Sequence, residues 1–174
     1  MRNKSIVLTG FMAVGKSSVG RQLAKLKKYK FVDTDSLIVK QYGMTIDEIF
    51  SKYGEAEFRK AELDLAEKIC REEKCIISTG GGMVTNEKII NMFLENCYVV
   101  NLTANVEKII RNASKTDKRP LLRGKTPQQV KEMLDYREKY YINNHLRVDT
   151  TNWQIKQTAQ YISQKYDEEV KING

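Results

Sequence analysis

Eight residues near the start of the chain, Gly10-Phe11-Met12-Ala13-Val14-Gly15-Lys16-Ser17, carry the full pattern G-x-x-x-x-G-K-[ST]. That spacing does phosphate chemistry. Gly10 and Gly15 let the backbone curl so that successive N–H groups turn toward phosphate oxygens. Lys16 reaches the β- and γ-phosphates, and Ser17 offers a hydroxyl to Mg²⁺. A helix opening at this point adds its positive end, so Gly10, Ala13, Val14, Gly15, Lys16, Ser17 and Ser18 together form the expected triphosphate cradle. The apolar run Ile6-Val7-Leu8 before the loop reads as a buried strand, and Ser18 to Leu26 after it reads as a helix. The chain is expected to bind a nucleoside triphosphate.

A phosphate loop fixes the nucleotide but not the acceptor. Four further features bear on that choice. Asp33-Thr34-Asp35 ends a short apolar segment. On a strand end the two carboxylates would point the same way, so that one could hold Mg²⁺ through water while the other meets an acceptor hydroxyl. The same tripeptide also reads as a helix N-cap by Thr34 or Asp35. Ser78-Thr79-Gly80-Gly81-Gly82 follows another apolar segment, and three glycines let a ligand touch backbone directly. Phe58-Arg59 is followed by Glu62 at helical spacing, which would hold a guanidinium rigidly for a substrate carboxylate; taken alone such a pair is ordinary surface decoration. Arg119-Pro120-Leu121-Leu122 lies in a basic stretch, and Arg137 follows in the next helix. A cation on a mobile segment can close over the γ-phosphate, although basic loops are commonly just solvated.

The elements that must position these residues alternate. The apolar runs Ser5–Leu8, Phe31–Asp33, Cys75–Ser78, Tyr98–Leu102 and Leu146–Asp149 predict strands. Between and after them, Lys16–Lys27, residues from Ser36 onward, Glu55–Lys74, Glu87–Leu94, Val106–Asn112, Pro127–Asn143 and Ile155–Lys165 predict helices. Thr45 with Glu48 spells a capping box, as does Thr126-Pro127 with Gln129. Near-continuous apolar strands in β–α alternation predict a parallel sheet with helices on both faces. Ala113 to Lys125 lacks periodicity and reads as a mobile basic lid, about residues 113–126. Tyr166–Gly174 reads as a frayed tail.

At 174 residues one domain is expected, and 41% hydrophobic with 30% charged residues describes a globular chain without disorder. No apolar stretch approaches the roughly 20 residues that span a bilayer. The start, broken at Thr9-Gly10 and lacking a small-residue cleavage site, reads as mature protein rather than a signal peptide, and the expected compartment is the cytoplasm. Cys70, Cys75 and Cys97 lack metal-ligand spacing and read as buried thiols, and the lone His145 cannot build a histidine metal cluster. The net charge of +8 raises a nucleic-acid reading, but the basic residues are dispersed. Their densest group, Lys25, Lys27, Lys28 and Lys30, closes a helix where cations are favoured. No nucleic acid or membrane partner is expected.

The loop at 10–17, Asp33-Thr34-Asp35, Phe58-Arg59, Gly80-Gly81-Gly82, Arg119-Pro120-Leu121-Leu122 and Arg137-x-x-x-Tyr141 occur in the order and spacing of the shikimate kinases, which the chain resembles from about Lys4 to Lys165. The resemblance implies a three-layer αβα P-loop fold with a five-stranded parallel sheet in the order 2-3-1-4-5. It implies transfer of the ATP γ-phosphate to the 3-hydroxyl of shikimate, and a monomer. Carried over by position, Asp35, Arg59, Gly80, Gly81, Gly82 and Arg137 would hold shikimate within a region that includes residues 34–62. Arg59 and Arg137 would meet its carboxylate, Phe58 would line its ring and Glu62 would orient Arg59. Ser17 and Asp33 would serve Mg²⁺, Lys16, Asp35 and Arg119 would be catalytic, Arg111 would lie against adenine, and Val148-Asp149-Thr150-Thr151 would open the adenine loop. Two departures stand out. Relatives often carry another glycine where this chain has Ala13 followed by Val14, and the stretch between Arg111 and Arg119 varies. A gluconate or nucleoside-monophosphate kinase fits less well, because Phe58-Arg59 and Gly80-Gly81-Gly82 argue against it and the nucleoside-monophosphate kinases lack this motif set. An inactive nucleotide-binding module would have lost Lys16, Asp35 or Arg59, and all three are present.

Overall fold

The computed structural model describes residues 4–115, 122 and 124–172. Five strands, β1 (Ile6–Thr9), β2 (Lys30–Asp33), β3 (Cys75–Ser78), β4 (Tyr98–Thr103) and β5 (Leu146–Asp149), form one sheet in the order β2-β3-β1-β4-β5. Every pairing within it is parallel. The three inner strands are covered on both faces, which is why their sequences are apolar without alternation: Ile6, Val7, Leu8, Ile76, Ile77, Val99, Val100 and Leu102 are all fully buried. Each edge strand buries only one residue, Val32 in β2 and Val148 in β5.

Among the described residues seven helices flank the strands: α1 (Lys16–Lys27), α2 (Thr34–Tyr42), α3 (Ile46–Ile69), α4 (Glu87–Asn96), α5 (Val106–Ala113), α6 (Pro127–Tyr141) and α7 (Ile155–Ile172), with a 3-10 turn at Met83–Thr85. Both capping boxes form, Thr45 with Glu48 and Thr126 with Gln129. α3 is broken at Gly54 (φ 83°), so that a second helical run starts at Glu55. That run stops at Ile69 rather than Lys74, because the chain must turn back into the sheet. Ser5 Oγ donates to the Glu72 carbonyl and accepts from the Cys75 amide, and Lys74 takes a positive φ of 55°. α6 ends at Tyr141, two residues short of the expected Asn143, where Asn144 Nδ2 donates to the Tyr141 and Ile142 carbonyls.

The tail expected from Tyr166 is instead the last third of α7. Ala159, Ile162 and Tyr166 continue one buried stripe, and the Tyr166 hydroxyl donates to the Lys4 carbonyl at 2.8 Å. A fully buried aromatic ring anchors the final turns to the start of the chain. α1 ends in the expected basic cluster: Lys25 and Lys27 occupy its last turn, and Lys27 pairs with Asp167 of α7. A separate small core of Ile38, Ile49, Phe58 and Ala61 packs α2 against α3. The three cysteines are free and buried, with burial pushing the Cys97 thiol up to about 12. Among the described residues no helix is long and apolar enough to cross a membrane.

His145 does a backbone carbonyl's work. Its Nδ1 accepts from the Val99 amide at 3.0 Å while its backbone N–H donates to the Val99 carbonyl at 2.9 Å, and its ring stacks on Tyr98. Desolvation, then the charge of Lys4, lower its pKa below the usual 6.5, with Glu169 opposing. The neutral ring is thus the folded form, so its contribution is complete above pH 6.5 and lost as pH falls through the lower folded value. Losing one hydrogen bond here should cost about 2–4 °C in thermal midpoint. The acid loss should exceed that of His145→Gln, and identical pH profiles would refute the assignment.

Candidate active site

The loop between β1 and α1 lies at the carboxyl end of the sheet, where open α/β folds bind ligands. Gly10 and Gly15 take φ of 133° and 109°, and Ala13 takes 60°. For a residue with a β-carbon the left-handed region costs roughly 1–2 kcal/mol, so the structure places strain at the position where the chain departs from its resemblance. Asn112 Nδ2 donates to the Ala13 carbonyl at 2.9 Å. α1 starts with Gly15 as N-cap and no side chain capping it, leaving its amides directed at the loop. Lys16 is buried and its Nζ donates to the Gly10 and Phe11 carbonyls at 2.6 and 2.9 Å. Val14 is buried and Ser18 is exposed on the first turn of α1.

Asp33 both caps and faces the loop. Its Oδ1 accepts from the Ser36 amide and hydroxyl at 3.1 Å each, and its Oδ2 accepts from Ser17 Oγ at 2.8 Å. Ser17 Oγ also lies 3.2 Å from Ser78 Oγ. The helix starts at Thr34, so Asp35 stands in the first turn of α2 rather than on the strand. Strand alternation therefore does not align the two carboxylates, and the cap belongs to Asp33 rather than to Thr34 or Asp35. Thr34 is fully buried, and its Oγ1 accepts from the Gly80 amide at 2.9 Å. That bond ties the start of α2 to the glycine run.

Each of the three glycines faces a different charged side chain. A β-carbon at Gly80 would overlap Asp35 Oδ1, and one at Gly82 would stand 2.9 Å from Arg59 Nη1. Beside Gly81 the nearest atoms to such a carbon include the Met12 amide nitrogen of the phosphate loop at 3.4 Å and Arg137 Nη1 at 3.8 Å. The Gly81 carbonyl accepts from Arg137 Nη1 at 3.1 Å and from the Tyr141 hydroxyl at 2.7 Å. One backbone wall thus collects Asp35, Arg137, Arg59 and the phosphate loop. A methyl at Gly82 must push the Arg59 guanidinium aside, so Gly82→Ala is expected to raise the KM for the acceptor about 10-fold, the loss of roughly one good charged hydrogen bond, with the KM for ATP unchanged. Steady-state kinetics with each substrate varied checks it.

Arg59 is held from both sides. Nη1 donates to Glu62 Oε2 at 2.6 Å, while Nε and Nη2 donate to Glu55 Oε1 at 3.2 and 3.0 Å. Glu62 is buried, and desolvation raises its pKa against the opposing effect of Arg59. The nearby Asp35 charge pushes the same way as burial. Glu55, four residues before Arg59 on the same helical run, went unremarked in the sequence although its spacing announces it. Phe58 is 4% exposed and packs into the α2–α3 core 4.9 Å from the Phe50 ring centroid, so its bulk builds the helix pair rather than an open face.

Arg111 sits exposed in the last turn of α5, and it is the next residue, Asn112, that reaches the phosphate loop. The loop after β5 is tied to α5: Lys108 Nζ donates to the Thr150 and Trp153 carbonyls, and the Asn105 amide donates to Thr151 Oγ1. Burial and then Arg111 hold the Lys108 pKa down. Arg119 and half of the expected lid, residues 116–121 and 123, lie outside the described residues.

A family model described as shikimate kinase matches residues 12–167. A shikimate kinase of Caldanaerobacter subterraneus subsp. tengcongensis is 39% identical over 172 residues, covering 98% of this chain and 99% of that protein. One from Geobacter metallireducens is 38% identical over 161 residues, covering 92% and 90%. The solved structure of shikimate kinase from Acinetobacter baumannii in complex with shikimate superposes with a TM-score of 0.88 at 30% identity, covering 97% of this chain and 95% of that one. With the phosphate loop, the glycine wall and the paired arginines assembled as described, the chain belongs to the shikimate kinase family.

Proposed function

We propose that this chain transfers the γ-phosphoryl group of ATP to the 3-hydroxyl of shikimate, giving shikimate 3-phosphate and ADP on the route to chorismate and the aromatic amino acids. The observation that carries the reading is the Gly80–Gly82 wall. It brings two guanidinium groups and a carboxylate beside the phosphate loop, with the Met12 amide 3.4 Å from where a Gly81 side chain would begin. A carboxylated, hydroxylated ring meets cations for its carboxylate and Asp35 for a hydroxyl. A neutral sugar has no carboxylate for the arginine pair.

Phosphoryl transfer of this kind is mostly positioning and charge neutralisation. The loop amides and Lys16 grip the phosphates, and Lys16 exchanges its carbonyl partners for phosphate oxygens. Arg59 and Arg137 take the shikimate carboxylate and aim one hydroxyl in line with the γ-phosphorus. Asp35 accepts a hydrogen bond from that hydroxyl and takes its proton as the bond to phosphorus forms. Ser17 and Asp33, joined at 2.8 Å at the mouth of the loop, fit Mg²⁺ in type and number, one hydroxyl and one carboxylate leaving room for water and phosphate. When bound, the ion neutralises charge on the β and γ oxygens. Arg119 is assigned to the lid, where closure excludes water and limits ATP hydrolysis, and Arg111 to the adenine. We place the protein in the cytoplasm as a single-domain monomer acting on two small molecules.

The test is ADP release with Mg-ATP in the presence and absence of shikimate. A shikimate-dependent rate that gluconate and AMP do not elicit supports the assignment. ATP binding without such a rate rejects the acceptor while keeping the nucleotide site.

A further inference from the structure

We infer that Asn112, at the end of α5, is a positioning residue for the phosphate loop, holding Ala13 in the left-handed conformation that the nucleotide site requires. Three observations converge on it. First, Ala13 is the sole non-glycine residue of the loop with a positive φ, at 60°, and it is buried. A residue with a β-carbon is disfavoured there, so something outside the residue must keep it in place. Second, the side-chain amide of Asn112 donates to the Ala13 carbonyl at 2.9 Å across 99 residues of sequence. Third, the Asn112 side chain is not needed to close its own helix. The Ser114 amide meets the Ile110 carbonyl, the Lys115 amide meets that of Asn112, and Ser114 Oγ donates to the Arg111 carbonyl.

The physical consequence follows from the planarity of the peptide unit. The Ala13 carbonyl and the Val14 N–H belong to one plane and point opposite ways. Clasping the carbonyl toward α5 aims the Val14 amide back at the Phe11 carbonyl, 3.4 Å away, and so sets the path into Gly15 and the amides that open α1. Without the clasp, Ala13 relaxes toward negative φ and that plane turns, so the amides meant for phosphate lose their common direction. α5 is itself braced for the task. Its first turns are fastened to the loop after β5 by Lys108 and Asn105, which makes it a strut between that loop and the phosphate loop.

The inference rests on residues 10–17 being the ATP site, and its test separates the two. ATP binding is measured by calorimetry without acceptor, and kinetics are measured with each substrate varied, for the unaltered chain, Asn112→Ala, Ala13→Gly and the double variant. Asn112→Ala is expected to weaken ATP binding about 10-fold, the worth of one hydrogen bond and part of the released strain, and to raise the KM for ATP equally. The KM for shikimate and kcat at saturation should stay within about 2-fold, since the glycine wall is untouched. In the Ala13→Gly background the same substitution should cost no more than about 2-fold, because glycine holds positive φ without help. An unchanged ATP affinity in Asn112→Ala, or an equal loss in both backgrounds, overturns the inference. Failure of the unaltered chain to bind ATP would instead overturn the nucleotide site itself.

Discussion

Arg59→Ala is expected to lower kcat/KM for shikimate by about 100-fold or more, mostly through KM, while ATP affinity stays within about 2-fold. Arg59 sits where three demands meet. Its Nη1 lies against Gly82, its fork is fixed by Glu62 and Glu55, and it shares the glycine wall with Arg137. A guanidinium held by two carboxylates loses little freedom on binding a third, which would make it an efficient clamp for the acceptor's carboxylate as proposed above. Removing it has a second effect. Glu62, with only 3% of its side chain exposed, keeps its charge against desolvation through Arg59. Without that cation its pKa rises further and the carboxyl takes up a proton nearer neutral pH. Removing one partner of a fully buried pair costs about 3–5 kcal/mol; because the Arg59 side chain is 34% exposed, about 1–2 kcal/mol is the fitting expectation here. Steady-state kinetics and thermal melts at pH 6 and 8 check both effects. If Arg59→Ala moved only ATP affinity, the carboxylate clamp would be wrongly assigned. Arg59→Lys, which keeps the charge but not the fork, should recover the melt more than the KM.

How much of this was legible in the sequence follows from how far apart the cooperating residues lie. The phosphate loop is contiguous, so its chemistry is written in eight successive residues and its strand and helix flank it directly. The inner strands were legible because burial on both faces leaves an unbroken apolar run. The capping boxes were legible because their bonds span three residues. The strand order was supplied by resemblance, since alternation alone says that strands are parallel but not which neighbours which.

What stayed hidden depends on tertiary contact or on the exact residue where one element yields to the next. Asp35 was expected on a strand end, yet Asp33 Oδ1 caps the helix and pulls its start to Thr34, turning Asp35 by a helical rather than a strand rotation. The tail from Tyr166 was expected to fray as chain ends commonly do, but one buried ring with a hydrogen bond to Lys4 holds the last turns. Phe58 reads as a ring-lining residue by position, and its part in the α2–α3 core is a further role that only the fold shows. The Asn112–Ala13 bond has no local signal at all. The Gly80–Gly82 run announced close approach, but only the fold shows that each glycine makes room for a different charged group.

Asp35→Asn should lower kcat about 100-fold and leave ATP binding within about 2-fold. The substitution is isosteric, so the contact with Gly80 and the first turn of α2 persist, and the loss reports chemistry rather than folding. The size follows from the reaction. General bases contribute about 10²–10⁴-fold, and a loose phosphoryl transition state, in which bonding to the nucleophile is little advanced, favours the lower end. The acidic side of the pH profile separates two roles. If Asp35 takes the proton, the unaltered chain should show an acid limb in kcat/KM for shikimate, and that limb should vanish in Asp35→Asn. If it only orients the hydroxyl, an amide oxygen can accept the same hydrogen bond, and the rate should fall by less than about 10-fold with the limb attributable to other groups. The Glu62 carboxyl shares this neighbourhood and feels the Asp35 charge, so Asp35→Asn also lowers the Glu62 pKa. The assignment of the limb therefore needs Glu62→Gln measured alongside: a limb that survives in Glu62→Gln and disappears in Asp35→Asn belongs to Asp35. Normal turnover in Asp35→Asn would remove this carboxylate from the mechanism, and the lid and the phosphate loop would then carry the rate acceleration through positioning and charge alone.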